Sequence, residues 1–255
     1  ILNEFMEGYH QAFILPEEKE EFNDFKTLLN QNHAPLYSEL SRKFGPFASC
    51  VFVIKDHHKV VAGASLDLFG SSKSMHLNYC FVDEHHRQKG LLKNILEASH
   101  QICHNLSGSH HPFLLFLEIN NPQKMPLNKQ RLDEEHSGLN QDTRLLVWEK
   151  VGASLVDAPY IQPSLSKDKE PCSDLLLACI APQVECLPSQ KVYDHLWRFF
   201  GLSVLKGQGS PKDMFFLENL LSQKRISLVK PSSIMTKNLQ EKSKEWVFAG
   251  LKRAS

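Results

Sequence analysis

The sequence lacks any apolar run of about 18 or more residues, and it lacks net charge, its 29 Lys and Arg balancing its 29 Asp and Glu. The first absence excludes a membrane-spanning helix. The second removes both the basic field that points to nucleic acid and the acidic excess that points to disorder. The opening residues ILNEFMEGYH have no basic stretch followed by an apolar one, so no secretory signal is supported, and the missing initiator Met points to a trimmed chain. No C-x-x-C spacing links the six cysteines (Cys50, Cys80, Cys103, Cys172, Cys179, Cys186), which sit mostly inside apolar runs, as buried thiols of a reducing compartment do. There is no G-x-S-x-G nucleophile motif and no internal repeat. Thirteen histidines include the adjacent pairs His57-His58, His85-His86 and His110-His111. Neighbours in extended chain point apart and do not converge on one ion, so no metal is expected. These features describe a soluble cytoplasmic protein, and its 255 residues suffice for one large domain or a domain with an appendage.

What is present is a strongly ordered pattern. Phe22, Phe25, Leu28, Leu29 and Leu36 recur every three or four positions, which predicts one or two helices between Phe22 and Leu40. SCVFVIK (49–55), VVAGASLDLF (60–69) and SMHLNYCFV (74–82), separated by DHHK and GSSK, read as an antiparallel meander. Leu91, Leu92, Ile95, Leu96, Ile102, Cys103 and Leu106 then mark one buried helix face, and FLLFLEI (113–119) reads as a strand covered on both sides. Strand, helix and strand in this order predict a parallel crossover. The 23 residues from Asn121 to Thr143 are polar and unpatterned and read as a long mobile loop. A short helix over 143–152 with Gly152 past its end, and two strands in ASLVDAP and 173–180, would close the sheet. APQVECLP reads as a linker, followed by helices over Val192–Leu205, Lys212–Leu221 and Thr236–Leu251.

The junction CFVDEHHRQKGLLKNIL (80–96) is the most informative stretch. A strand that ends in a turn, with Gly90 just before the helix, exposes backbone N–H groups that bind phosphate, and Arg87 and Lys89 add positive charge there. With Val82, Arg87, Gly90 and Leu92 in register, and WEKVGA of Val147–Ala153 before the closing strands, the sequence resembles the GNAT superfamily of N-acetyltransferases over roughly residues 9–181. PYIQPSL, KEPCSDLLL and LPEEKEEF are similar to stretches of its bacterial members. The resemblance implies an α/β (α+β) fold: a mixed, mostly antiparallel sheet flanked by helices, whose fourth and fifth strands, here 76–82 and 113–119, splay apart. It also implies that acetyl-CoA, or another acyl-CoA, is co-substrate. Its pantetheine arm would lie in the cleft, with its diphosphate on Arg87, Gln88, Lys89, Gly90, Leu91 and Leu92, its thioester carbonyl on a backbone amide of Phe81 or Val82, and further contacts from Asn121 and Trp148. Asn120 and Asn121 would meet the cofactor or cap the loop.

Two positions depart from the family pattern: Leu92 replaces Gly or Ala, and Trp148 replaces a Tyr that protonates the leaving thiolate, a role an indole cannot fill. Direct attack by an amine needs a base, and Glu118, a charge in an apolar strand, is the first candidate. His76 and Asn78 share a strand face by alternation, with Cys80 and Val82 continuing it, and either would orient water or substrate. Tyr160 is the remaining phenol for the acid role. The expected organisation is a transferase domain over 1–181, a linker over 182–188 and a helical extension over 189–255, docked on the same chain. The expected activity is acyl transfer to a primary amine, a small molecule or a peptide, with no nucleic acid or membrane partner. The alternatives are a non-catalytic acyl-CoA-binding module, motivated by Trp148 and Leu92, and a partner-binding surface built on Trp197, Phe199, Phe200, Phe215, Phe216 and Trp246.

Overall fold

The computed structural model describes residues 1–108, 113–164, 170–181, 184–208 and 211–235. Helices α1 (Leu2–Ala12), α2 (Phe22–Asn30) and α3 (Leu36–Phe44) come first. Glu21 and Asp24 form a capping box that fixes the start of α2, and the expected helical stretch divides into two helices at residues 31–35. Strands β1 (Phe47–Asp56), β2 (Lys59–Phe69) and β3 (Ser74–Val82) form the antiparallel meander that their short polar turns announce. Helix α4 (Leu91–Ser107) crosses to β4 (Leu114–Asn120), which pairs parallel with β3.

Helices α5 (Leu127–Ser137) and α6 (Gln141–Lys150) follow, then β5 (Ala153–Val156), β6 (Leu175–Ile180), β7 (Cys186–Pro188), α7 (Ser189–Arg198) and β8 (Arg225–Val229). The eight strands lie in the order β1-β2-β3-β4-β6-β5-β8-β7, antiparallel throughout except for β3 and β4.

Alternation along β1 shows how the sheet is covered. Cys50, Phe52 and Ile54 pack against the buried cluster that holds Ile95 and Leu96 of α4 and Leu145 of α6. Val51 and Val53 point the other way, against Phe5 and Tyr9 of α1 and Phe25 of α2. On that same second face, Phe47, Phe69, Phe116 and Leu177 share a buried cluster with Leu196, Phe199, Phe200 and Ile226. Burying side chains of this size is worth about 1.5–3 kcal/mol each, so α7, the turn after it and β8 are held firmly on the sheet.

Three expectations need correction. The stretch 121–143 is not a loop: it holds α5 and the start of α6. Helix α5 has no apolar stripe to betray it, because the residues it buries are Asp133 and Ser137, while Leu127 and Leu132 are exposed. The Asp133 carboxylate accepts from Gln141 Nε2 at 2.5 Å and Arg144 Nη2 at 2.9 Å, tying α5 to α6 through polar groups. Helix α6 itself starts two residues earlier than expected, capped by Asn140, whose side chain accepts from the Thr143 N–H.

The sheet does not close at residue 180. Strand β8 adds to β5, and Cys186–Pro188, within the stretch read as linker, pairs with β8 as β7. Strands of three and five residues carry too little alternation to stand out. The helix from Ser189 ends in a π-helical turn over Phe199–Val204, and Pro211–Ser222 is 3₁₀-helical. The helix expected over Thr236–Leu251, with Trp246, lies outside the described residues, as does the pair His110-His111; the side chains of Phe215 and Phe216 are likewise not described.

The third correction concerns β3. Ser65 pairs with Tyr79 but Leu66 with Leu77, so Asn78 is an extra residue on β3, a β-bulge. The bulge breaks the alternation. Tyr79 and Phe81 continue the face of His76, against α1 and α2, whereas Cys80 and Val82 turn to the α4 face.

Candidate active site

Strands β3 and β4 pair only from Ser74–Leu114 to Leu77–Leu117 and then diverge. The divergence begins at the Asn78 bulge. Beyond it, the edge of β3 that faces β4 has no partner strand among the described residues, so its backbone polar groups face the gap. A cleft of about 500 Å³ opens there, with Asn78 and Cys80 of β3 and Glu118 and Asn120 of β4 among its walls. Gln141, Arg144 and Trp148 of α6 line it, and so do Glu18 and Glu20 from the α1–α2 connection and Phe199 and Ser203 from the π-helical turn. The sheet's two faces thus share one opening.

Glu118 stands on the β4 wall of this cleft. Oε1 accepts from the phenol of Tyr160, and Oε2 accepts from Gln162 Nε2 at 2.7 Å. Its side chain is 14% exposed. Burial pushes its carboxyl up to about 7; the Tyr160 hydrogen bond opposes that rise and the charge of Glu20 adds to it. Tyr160 is itself pushed well above the usual phenol range by burial, then by the Glu118 charge. Gln162 lies two residues beyond Tyr160, and this extended spacing aims both side chains at one carboxylate.

More carboxylates border the same part of the cleft. Glu18 Oε1 accepts from Asn120 Nδ2 at 2.9 Å, and its backbone carbonyl accepts from the Tyr79 hydroxyl at 3.1 Å. Glu20 pairs with Lys206 Nζ at 2.8 Å and is held above its ordinary value by burial. Asp67, fully buried, accepts from Asn78 Nδ2 at 2.7 Å and Ser203 Oγ at 2.5 Å, which anchors the bulge to the π-helical turn.

On the α4 side the loop after β3 turns sharply. Gln88 and Gly90 both adopt positive φ, 63° and 81°. An αL residue with a side chain costs about 1–2 kcal/mol, which explains Gly90. A Cβ built on Gly90 meets nothing within 4 Å, so the space before α4 is open. No side chain caps α4, whose first-turn amides of Leu91, Leu92 and Lys93 have no partner inside the helix. Arg87 Nη1 donates to the Ser137 carbonyl at 2.5 Å, fastening this loop to the end of α5.

The other anticipated positions divide. Trp148 lines the cleft. Asn121 is buried and its Oδ1 accepts from the Gln123 N–H at 2.9 Å, so it shapes the turn after β4. Phe81 packs its ring between Phe5 and Gly8 of α1, leaving only its backbone toward the cleft. His76 is completely buried and stacked on Phe199 with ring centroids 3.5 Å apart, and it does not line the cleft. Glu18, Glu20 and Gln162 were not anticipated; only the Tyr160–Gln162 spacing carried a signal.

Among the described residues, no three His, Cys, Asp or Glu side chains converge so as to hold a metal, and no helix is long and apolar enough to cross a membrane. Residues 4–129 match the profile of the Acetyltransferase (GNAT) family. No curated protein sequence matches the chain. Among solved structures, one described as a GNAT-family acetyltransferase of Bacteroides thetaiotaomicron is 16% identical, with a TM-score of 0.47, covering 78% of this chain and 88% of its own. The ribosomal-protein-S18-alanine N-acetyltransferase of Escherichia coli is 14% identical, with a TM-score of 0.33, covering 65% and 95%. An aminoglycoside 6'-N-acetyltransferase complexed with coenzyme A is 12% identical, with a TM-score of 0.34, covering 67% and 97%.

Proposed function

Through residues 4–129 the chain belongs to the acetyltransferase (GNAT) family, and from that premise we propose that it is an acetyl-CoA-dependent N-acyltransferase acting on a primary amine. The observation that carries this reading is the cleft itself. It has an uncapped helix start and open glycine turn toward the α4 face, and a carboxylate tuned to about 7 toward the other.

The residues fit an acyl-CoA. The amides of Leu91, Leu92 and Lys93 at the positive end of α4 would hold the diphosphate, with Gln88, Lys89 and Gly90 shaping the turn. Backbone groups of β3 beyond the bulge, around Phe81 and Val82, would hold the arm and polarise the thioester carbonyl, and Trp148 would pack beside it. When bound, the acyl-CoA supplies the activated acyl group. Glu118 takes the proton that a charged amine must lose before it attacks. Tyr160, hydrogen-bonded to Glu118, holds that carboxylate in place and is the phenol nearest the base. The carboxylates of Glu18 and Glu20 favour an acceptor that arrives as a cation.

The test is thiol release from acetyl-CoA with a panel of primary amines, beside calorimetric titration of coenzyme A. Coenzyme A binding with amine-dependent release supports the reading. Binding without release for any amine supports a non-catalytic acyl-CoA module instead, a reading that the indole of Trp148 in the cleft favours. Absence of binding overturns both.

A further inference from the structure

Behind Glu118, away from the cleft, runs a continuous line of buried polar groups. His76 Nε2 lies 4.0 Å from Glu118 Oε2 and has no hydrogen-bond partner among the described residues. His76 Nδ1 is 3.0 Å from His195 Nε2, and His195 Nδ1 is 2.9 Å from Ser74 Oγ. Ser74 Oγ is 2.7 Å from Ser72 Oγ, itself almost buried and donating to the Phe69 carbonyl at 3.4 Å, in the turn between β2 and β3, whose neighbours Ser71 and Lys73 are exposed. The two rings are nearly parallel, at 11°, and each packs on an aromatic side chain: Phe199 stacks on His76 and Phe116 on His195. Two histidines and two serines fully or almost fully removed from water are costly to retain as packing, since each polar atom must find a partner.

We propose that Ser72, Ser74, His195 and His76 form a relay that carries to solvent the proton Glu118 takes from the acceptor amine. The inference rests on the transferase reading above. Acyl transfer from a thioester to an ammonium yields amide, thiol and one net proton, so Glu118 must be emptied once per turnover while substrates fill the cleft.

The polarity of the chain suits outward passage. With His76 donating from Nδ1 to His195 Nε2, and His195 donating from Nδ1 to Ser74 Oγ, His76 Nε2 is the open acceptor facing Glu118. The Glu118 O–H bond breaks as the His76 Nε2–H bond forms. The Nδ1 proton of His76 moves to His195 Nε2, that of His195 Nδ1 to Ser74, that of Ser74 to Ser72, and that of Ser72, once its hydroxyl turns from the Phe69 carbonyl, to water at the exposed turn. Each ring ends in its other tautomer and no charge is left behind; once the products have left the cleft, the line runs back, a proton entering at Ser72 and one leaving His76 Nε2 through Glu118 to the water of the open cleft, which restores both tautomers. The 4.0 Å step closes with roughly 1 Å of carboxylate rotation, bringing it to normal hydrogen-bond length.

The surroundings favour neutral rings. Burial lowers His76 to about 3. His195 is held well below its ordinary value by burial, then by His76, Arg198 and Lys191. Glu118 of β4 and Lys191 and Arg198 of α7 are the charged groups facing the pair; β2 presents Phe69 and the π-helical turn presents Phe199. Lys191 Nζ, which donates to the Ser72 carbonyl, marks the exit.

The test uses the intact chain labelled with ¹⁵N-histidine. In the free protein, both imidazole N–H protons are expected to exchange with water about tenfold or more faster than the flanking amides of Met75 and Leu77. Ser74→Ala, and independently Ser72→Ala in the surface turn, should slow that exchange about tenfold with the backbone spectrum unchanged. With acetyl-CoA and the amine giving the fastest thiol release, Ser74→Ala should lower kcat about tenfold at unchanged KM for acetyl-CoA, and Ser74→Thr should restore it. Imidazole protons as protected as the core amides and insensitive to both variants would overturn the relay, as would unchanged kcat in a variant whose exchange has slowed. Failure of every amine to release thiol would count against the transferase reading, and the exchange measurement would still decide the relay.

Discussion

The phenol of Tyr160 donates a hydrogen bond to Glu118, joining a strand carboxylate to a loop residue 42 positions away. That contact opposes burial, which drives the Glu118 carboxyl from 4.5 up to about 7. A carboxyl raised in the fold binds its proton more tightly there than in the unfolded chain. Its contribution to stability therefore falls as pH rises from about 4.5 to about 7. Activity slopes the other way, because only the carboxylate accepts a proton. We expect kcat/KM for the acceptor to rise with pH and reach half its plateau near pH 7. Glu118→Gln should abolish that limb and reduce kcat/KM by about 10²–10⁴-fold; a retained limb in this variant would assign it to another group.

Tyr160→Phe removes the hydrogen bond that lowers the Glu118 carboxyl. The acid limb should move to higher pH, and thiol-release rates below neutrality should fall more than those at pH 9. A profile displaced downward equally at every pH would instead indicate loss of an acid or of packing.

Gly90→Glu places a negative charge at the open start of α4, where a diphosphate would sit, in a backbone conformation that disfavours side chains. Coenzyme A affinity should drop at least tenfold in calorimetry, about 1.4 kcal/mol. Gly90→Ala separates the effects: it carries the conformational cost of about 1–2 kcal/mol without the charge, and should lose less affinity.

Phe199→Ala removes a nearly buried ring that stacks on His76 and joins the sheet to the segment after α7. Urea unfolding should show a loss of about 3–5 kcal/mol in one cooperative transition. A separate early transition, leaving the sheet as stable as before, would show that the C-terminal segment folds independently.

The meander, the crossover and the glycine turn were legible in the chain because each depends on local chemistry: alternation in β1 to β3, an apolar stripe in α4, and a φ that Gly90 adopts at little cost. Helix α5 was not, because Asp133 and Ser137 are its buried residues and their partners lie on a neighbouring helix. Strands β7 and β8 are too short to show a period, and β8 is recognised only by the edge of β5 that it covers.

Of the candidate site, residue types and their local settings were written in the sequence: Glu118 in an apolar strand, Arg87 to Leu92 at a helix start, and Trp148 where a phenol is usual. Only the tertiary structure decided what those residues face. One extra residue at Asn78 reverses the faces of Cys80 and Val82, since a strand's period of two turns any insertion into a change of side. Likewise, His76 meets no substrate but His195, 119 residues away, because α7 packs on that face of the sheet. Period and propensity act over a few residues, whereas registers and facing helices are set by which surfaces bury each other, and that choice belongs to the whole chain.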